Sequence, residues 1–288
     1  MQVLSRLIGV AVALAVVMGG GAALAGSGQP SPWQMGLQGA ATPVMEDLVT
    51  FHDALLYVIT AITVFVLALL LVIVVRFNRR ANPTPSRTTH NTLIEVIWTV
   101  VPIIILTGIA IPSFKLLFYE QNIPSADLTL KATGNQWYWT YAYPDNGKFE
   151  FESRMLDEQD RPKQKPSEPR LLAVDNDVVV PVNKVVRVQV TADAAGVIHS
   201  FAVPAFGIKI DAVPGRLNET WFKVTREGTY YGQCSELCGK DHAFMPIAVR
   251  VVSEADFAAW VEQAKKKFAR DDTVAPTAVA AVPAPAAE

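Results

Sequence analysis

Hydrophobic positions fall along this chain in three patterns, and each predicts a different kind of element. Ala54 to Val75 is a run of twenty-two residues without a charge. As a helix, such a run spans a hydrocarbon core of ~30 Å. Val96 to Phe114 is a second uncharged run, bounded by Glu95 and Lys115. Pro102 and Pro112 lie inside it, which a membrane helix tolerates where neighbouring groups satisfy the freed backbone. Helices are therefore expected over about residues 52–76 and 93–118.

From Glu120 the period shortens. Asp127 to Tyr143, Val178 to Thr191, Thr220 to Tyr231 and Pro246 to Val252 alternate or run apolar, with β-branched and aromatic residues, as half-buried and buried strands do. Pro144-Asp145-Asn146-Gly147 and Arg226-Glu227-Gly228 supply turn signals. No helix of any length fits between the first strand and Val252, so residues 120–252 are predicted to form a small all-β sandwich or barrel. Met155 to Arg170 is polar, charged and proline-containing, and reads as a surface loop. The third pattern opens at Ser253. Phe257, Trp260, Val261, Ala264 and Phe268 recur at helical spacing and predict an amphipathic helix over 253–271. The Ala/Pro/Val composition of residues 272–288 predicts a disordered tail. There is no internal repeat.

Charge orients the two long helices. Arg76, Arg79, Arg80 and Arg87 follow the first run with no acid among them, which places that connection on the cytoplasmic side. Residues 26–119 then form an N-terminal segment and a transmembrane hairpin, with both ends outside. The N-terminus agrees: Arg6, the apolar core Leu7 to Met18 and the small-residue site Ala23-Leu24-Ala25 predict a signal peptide over 1–25, cleaved after Ala25. The net charge of −2 gives no reason to expect a nucleic-acid partner.

Candidate chemistry is concentrated in twelve residues, Cys234-Ser-Glu-Leu-Cys-Gly-Lys-Asp-His-Ala-Phe-Met245. Cys234 and Cys238 are the two cysteines of the chain; His242 and Met245 follow, and His199 lies upstream. A single-copper electron-transfer site uses two histidines, one cysteine and a weak axial methionine. One thiolate is therefore in excess. Two thiolates in one loop can bridge two copper ions, each capped by a histidine, and this is the lead reading. A disulfide, a tetrahedral zinc site and a cluster holding no metal are the alternatives. A disulfide leaves His242 and Met245 unexplained, and zinc has no use for the methionine. No Cys-x-x-Cys-His haem attachment site occurs.

The loop closely resembles the CuA-binding loop of cytochrome c oxidase subunit 2. Three more stretches carry the resemblance: Gly134-Asn135-Gln136-Trp137-Tyr138-Trp139; His199-Ser200-Phe201 with Lys209 to Arg216; and His90-Asn91-Thr92 through Glu95 and Trp98. The resemblance implies a two-helix transmembrane hairpin followed by an all-β cupredoxin-like Greek-key barrel. It implies two copper ions held by His199, Cys234, Cys238, His242, Met245 and the backbone carbonyl of Glu236. The Glu236 side chain would reach a Mg²⁺ ion shared with oxidase subunit 1. Trp137 would receive electrons from cytochrome c, and Glu95 would lie at the mouth of a proton path into subunit 1. The implied activity is passage of electrons from cytochrome c to haem in subunit 1, where oxygen is reduced to water with proton translocation. The implied location is the bacterial inner membrane, with the copper domain in the periplasm.

Several positions depart from the family pattern. Phe201 stands where tryptophan is usual, and Asn135 replaces a common histidine. Ala142 and Gly196 replace acids associated with cytochrome c docking. Residues 120–270 carry 20 acids against 19 bases, so no net field marks a docking face. Asp175 and Asp177 match a docking region, and Asp193 is a candidate substitute for the acid absent at Gly196.

Overall fold

The computed structural model describes residues 28–268; the predicted signal peptide and C-terminal tail lie outside them. Two long helices come first. Helix α1 covers Pro43–Arg76 and α2 covers Thr92–Gln121. Both are long and apolar enough to cross a membrane, and their aliphatic side chains are largely exposed. Thr42 caps α1, its hydroxyl accepting from Met45 N at 3.1 Å, with Pro43 in the first turn. The helix begins nine residues before the expected residue 52. Asp53 bounds the uncharged run, with Glu46 and Asp47 further upstream, but the cap and its proline start the helix outside the apolar stretch. Asn91 caps α2 through Ile94 N at 3.2 Å, and α2 contains Pro102 and Pro112.

Ten strands follow: β1 Leu128–Asn135, β2 Tyr138–Tyr143, β3 Phe149–Ser153, β4 Val178–Pro181, β5 Val186–Ala192, β6 His199–Val203, β7 Ile208–Ala212, β8 Asn218–Phe222, β9 Gly228–Cys234 and β10 Pro246–Val252. They form two five-stranded sheets, ordered β3-β2-β1-β5-β8 and β4-β10-β9-β6-β7. Alternation places Leu128, Leu130 and Ala132 of β1 and Trp139, Tyr141 and Tyr143 of β2 on the buried face of the first sheet. Strands β4 and β6 are buried at every position, as strands covered on both faces are. Each fully buried large aromatic contributes on the order of 1.5–3 kcal/mol by area, so Trp139, Tyr141, Phe201 and Phe222 anchor the sandwich.

The stretch Asp127 to Tyr143 is a hairpin, not one strand. Asn135 pairs with Tyr138, leaving Gln136 and Trp137 as its tight turn. Likewise Val178 to Thr191 divides into β4 and β5, which join different sheets. The Met155–Arg170 segment is mostly exposed but contains a one-turn helix, α3, over Arg161–Gln164. Just beyond it, Leu172 and Val174 pack on Tyr231 and Ala248, covering the outer face of β9 and β10. The last helix, α4, covers Glu254–Lys267 and is capped by Ser253. Its Trp260 packs against Tyr143 and Phe149, at ring-centroid distances of 5.2 and 5.7 Å.

The hairpin is fastened to the β domain at both of its outer ends. Ala41 N donates to Ala205 O at 2.9 Å, and the Thr42 hydroxyl donates to Phe206 O at 2.7 Å. A Cβ on Gly207 would stand 3.2 Å from Met45 Cα, so glycine, at φ +72°, permits that contact. At the end of α2, Tyr119 packs edge-on against Trp221, whose indole donates to Glu120 O at 3.1 Å. The sheets are thereby held in register with the membrane helices.

Candidate metal centre

The ligand-bearing residues come from three adjoining pieces of one sheet. His199 opens β6, Cys234 closes β9, and Met245 immediately precedes β10. The connecting loop is closed by Cys234 N donating to Met245 O at 3.4 Å, and tied to β6 by Ser235 N donating to Ser200 O at 3.1 Å. His242 begins a short 3₁₀ turn. Gly239 has φ +121°, and a Cβ there would meet the Trp137 ring at 2.8 Å. Glycine after Cys238 thus lets the loop turn under the indole.

Soft donors face one another within this frame. The sulphurs of Cys234 and Cys238 are 3.7 Å apart. His199 Nδ1 stands 3.8 Å from Cys234 Sγ, and His242 Nδ1 stands 3.5 Å from Cys238 Sγ. Met245 Sδ is 3.7 Å from Cys238 Sγ, and the Glu236 carbonyl oxygen is 3.4 Å from Cys234 Sγ. Both cysteines are free and buried, and their separation is far beyond a disulfide bond of ~2.05 Å. The ligand atoms of His199, Cys234 and Cys238 all lie within 4.8 Å of one another, a spacing able to hold a metal ion. His242 lies outside that trio and approaches Cys238. A single tetrahedral ion holding both histidines and both cysteines would draw all four donors into one mutual cluster. One imidazole nitrogen lies beside each thiol.

Burial and mutual proximity shift the protons of the metal-free site. Burial, then the neighbouring Cys234, pushes the Cys238 thiol up to about 12. Burial, then the His242 ring, holds His199 below the ordinary imidazole range. The metal-free cluster therefore favours a neutral Cys238 thiol and a neutral His199 imidazole, and metal binding through Cys238 must displace its proton.

The other sequence-predicted residues lie at varied distances from this cluster. Trp137 is half-buried and packs directly on the loop, its indole N–H donating to Cys238 O at 2.8 Å. Lys240 Nζ lies 5.4 Å from the Trp137 ring centroid. The Glu236 carboxylate is exposed, with no ion pair among the described residues. Asp193 is exposed, and its backbone N–H donates to Gly134 O at 3.0 Å, beside the Trp137 hairpin. Asp175 and Asp177 lie at the start of β4 in the ligand-bearing sheet. Asp177 is 2.6 Å from Lys165 Nζ and 3.8 Å from Arg250 Nε, and is only 11% exposed. Asp175 Oδ1 accepts from Arg154 N and Asn176 N, each at 2.7 Å, at an exposed position. Glu95 lies in the first turn of α2, where its carboxylate accepts from Asn91 N at 3.3 Å.

Sequence reasoning gave no role to Gly134 or Trp139 individually. A Cβ on Gly134 would lie 2.8 Å from His199 Cδ2. Trp139 is fully buried, contacts the His199 ring at a centroid distance of 6.1 Å, and donates from its indole to Met245 O at 3.3 Å. Gly134 lies opposite Trp139 across the tight hairpin, a pairing that only the structure shows.

Two apolar helices able to span a membrane are followed by a cupredoxin-like β-sandwich carrying a thiol–imidazole cluster able to hold a metal. The family description "Cytochrome C oxidase subunit II, transmembrane domain" matches residues 30–116, and "Cytochrome C oxidase subunit II, periplasmic domain" matches residues 128–252. A relative named "Probable cytochrome c oxidase subunit 2" from Rickettsia bellii is 55% identical over 244 residues, covering 85% of this chain and 89% of the relative. The cytochrome c oxidase subunit 2 of Cereibacter sphaeroides is 49% identical, covering 83% of this chain and 82% of the relative. The crystal structure of the periplasmic domain of subunit II of cytochrome oxidase from Bradyrhizobium japonicum is 68% identical, covering 51% of this chain and 100% of that one, with a TM-score of 0.47. The chain belongs to the cytochrome c oxidase subunit 2 family.

Proposed function

We propose that this chain is the electron-accepting subunit of a respiratory haem–copper oxidase, anchored in the bacterial inner membrane with its β domain in the periplasm. The observation that carries the reading is the pair of free, buried thiols 3.7 Å apart, with an imidazole nitrogen beside each and a thioether beside one. Two copper ions held by Cys234, Cys238, His199, His242, Met245 and the Glu236 carbonyl would supply a one-electron acceptor that is also a one-electron donor. Soft sulphur donors favour copper, and weak axial groups tune its potential. The protein's own part is to keep these donors dry and fixed.

Trp137 is the proposed point of electron arrival from cytochrome c. Its indole is partly exposed and hydrogen-bonded to the carbonyl of a thiol ligand, which gives a short contact path from the surface to the sulphur. Asp175 and Asp177 are proposed to steer cytochrome c, with Asp175 contributing more because Lys165 and Arg250 already offset Asp177. The exposed Glu236 carboxylate is free to hold Mg²⁺ against subunit 1. Glu95, an ionisable group at a membrane boundary, is the proposed mouth of the proton path. Oxygen reduction and proton translocation belong to the partner subunit, reached from the copper domain through its haem.

The assembled oxidase tests this reading. Trp137→Gln should leave cytochrome c affinity within a few-fold, since a neutral side chain adds little long-range attraction, while the rate of reduction of the copper domain falls steeply. An unchanged copper spectrum must accompany that loss. A normal reduction rate would return Trp137 to the simpler role of packing on the loop.

A further inference from the structure

We infer that Trp139 and Gly134 position His199 and Met245, and thereby set the metal affinity and reduction potential of the site. The inference rests on the copper reading above but concerns two residues to which that reading gives no role. A metal-ligating histidine usually has its ring fixed by a hydrogen bond from its second nitrogen to a carboxylate, carbonyl or water. Here His199 Nε2 is buried and has no hydrogen-bond partner among the described residues. Among the described residues, the ring's orientation therefore depends on what packs against it.

Two residues from one hairpin provide that packing. Gly134 on β1 and Trp139 on β2 are direct cross-strand partners. The missing side chain of Gly134 leaves the space that the imidazole occupies, since a Cβ would fall 2.8 Å from Cδ2 and 2.9 Å from Cγ. Trp139 closes the ring in at an interplanar angle of 60° and is itself held edge-on by Phe201, at 5.5 Å between centroids. Phe201 pairs across the sheet with Cys234. The same indole donates to Met245 O, so one rigid, fully buried side chain touches both the imidazole ligand and the thioether residue. Rotation of Trp139 would move both donors together. Its neighbour Trp137 donates instead to the Cys238 carbonyl.

The test compares wild type, Trp139→Phe and Gly134→Ala as full-length chains loaded with copper. Phenylalanine keeps an aromatic ring and removes the indole N–H. Alanine adds only the Cβ that collides with His199. The readouts are copper affinity by competition with a chelator, reduction potential by spectroelectrochemistry, the copper electron paramagnetic resonance spectrum, and thermal unfolding of the metal-free chain. Residues that orient metal ligands typically change affinity by about 10–100-fold when replaced. Each variant should weaken copper binding within that range, shift the potential and alter the spectrum. If Trp139→Phe does not fold, Gly134→Ala decides the matter. Variants that unfold at lower temperature yet keep wild-type affinity, potential and spectrum would reduce both residues to ordinary core and overturn the inference. A wild-type chain that takes no copper would instead overturn the proposed function, and this inference with it.

Discussion

Two clusters of chemistry-bearing side chains sit on the same five-stranded sheet, one at the β9–β10 connection and one at the start of β4. In the first, two thiols, two imidazoles and a thioether turn their donor atoms toward one another at 3.5–3.8 Å. In the second, Asp177 is already engaged by Lys165 and Arg250, with Glu168 3.3 Å from the same Lys165 amine. Both clusters consist of residue types that mark functional sites in a sequence. The difference is that one cluster gathers soft donors on one another while the other closes opposite charges. Converging soft donors are a chemistry suited to a metal, whereas a closed ion-pair network mainly holds its loop.

Replacement of Cys238 by serine should break this contrast most severely. Without the second sulphur the loop loses a bridge, and copper content should fall from two per chain to at most one, measured by metal analysis after gel filtration. The corresponding lesion in the other cluster is Asp177→Asn. It leaves the nearly buried Lys165 amine without its nearest carboxylate and should destabilise the metal-free chain by about 1–3 kcal/mol, less than the ~3–5 typical of a fully buried pair because some water contact remains. Urea unfolding would measure that loss, and the copper spectrum should not change. An altered spectrum would mean that the two clusters are coupled.

The protonation of the first cluster sharpens the contrast further. The Cys238 thiol is raised, so its stabilising contribution is present below the ordinary thiol range and is lost as pH climbs toward about 12. His199 is lowered, so its contribution is present above the ordinary imidazole range and is lost as pH falls through it. The metal-free chain should therefore be most stable between roughly pH 6.5 and 8.5, followed by thermal unfolding against pH. Copper affinity should rise with pH over the same window, because thiol protons must leave. A pH-independent affinity would show that the thiols are not ligands.

The smallest effect is expected at Asp175. Its Asp175→Asn change should slow association with cytochrome c by about two- to threefold at low salt, with a shallow salt dependence overall, because the β domain carries nearly balanced charge. A large effect would show that Asp175, although tied to the Arg154 and Asn176 amides, dominates docking.

The legible and illegible parts of the molecule divide along the same line. Cys234, Cys238, His242 and Met245 were readable because they lie within twelve residues of one another and share a soft-donor chemistry. The two long helices were readable because absence of charge over nineteen or more residues has few other meanings. The partner of Asp177 was not readable, since Lys165 reaches it from the α3 loop and Arg250 from β10. The early start of α1 was obscured by Asp53, with Glu46 and Asp47 upstream of it, although Thr42-Pro43 is a capping signal in its own right. Gly134 and Trp139 were read as part of an aromatic motif. Their bearing on His199 depends on a tight turn at Gln136-Trp137 and on the crossing of two sheets, and neither follows from local pattern.

The central claim is that the free thiols of this loop share two metal ions. Copper analysis and electron paramagnetic resonance on the same sample of the full-length chain test it most directly. The account predicts two coppers per chain and, in the half-oxidised form, a single unpaired electron distributed over both nuclei. One copper per chain with the hyperfine pattern of a single localised Cu(II) would contradict it.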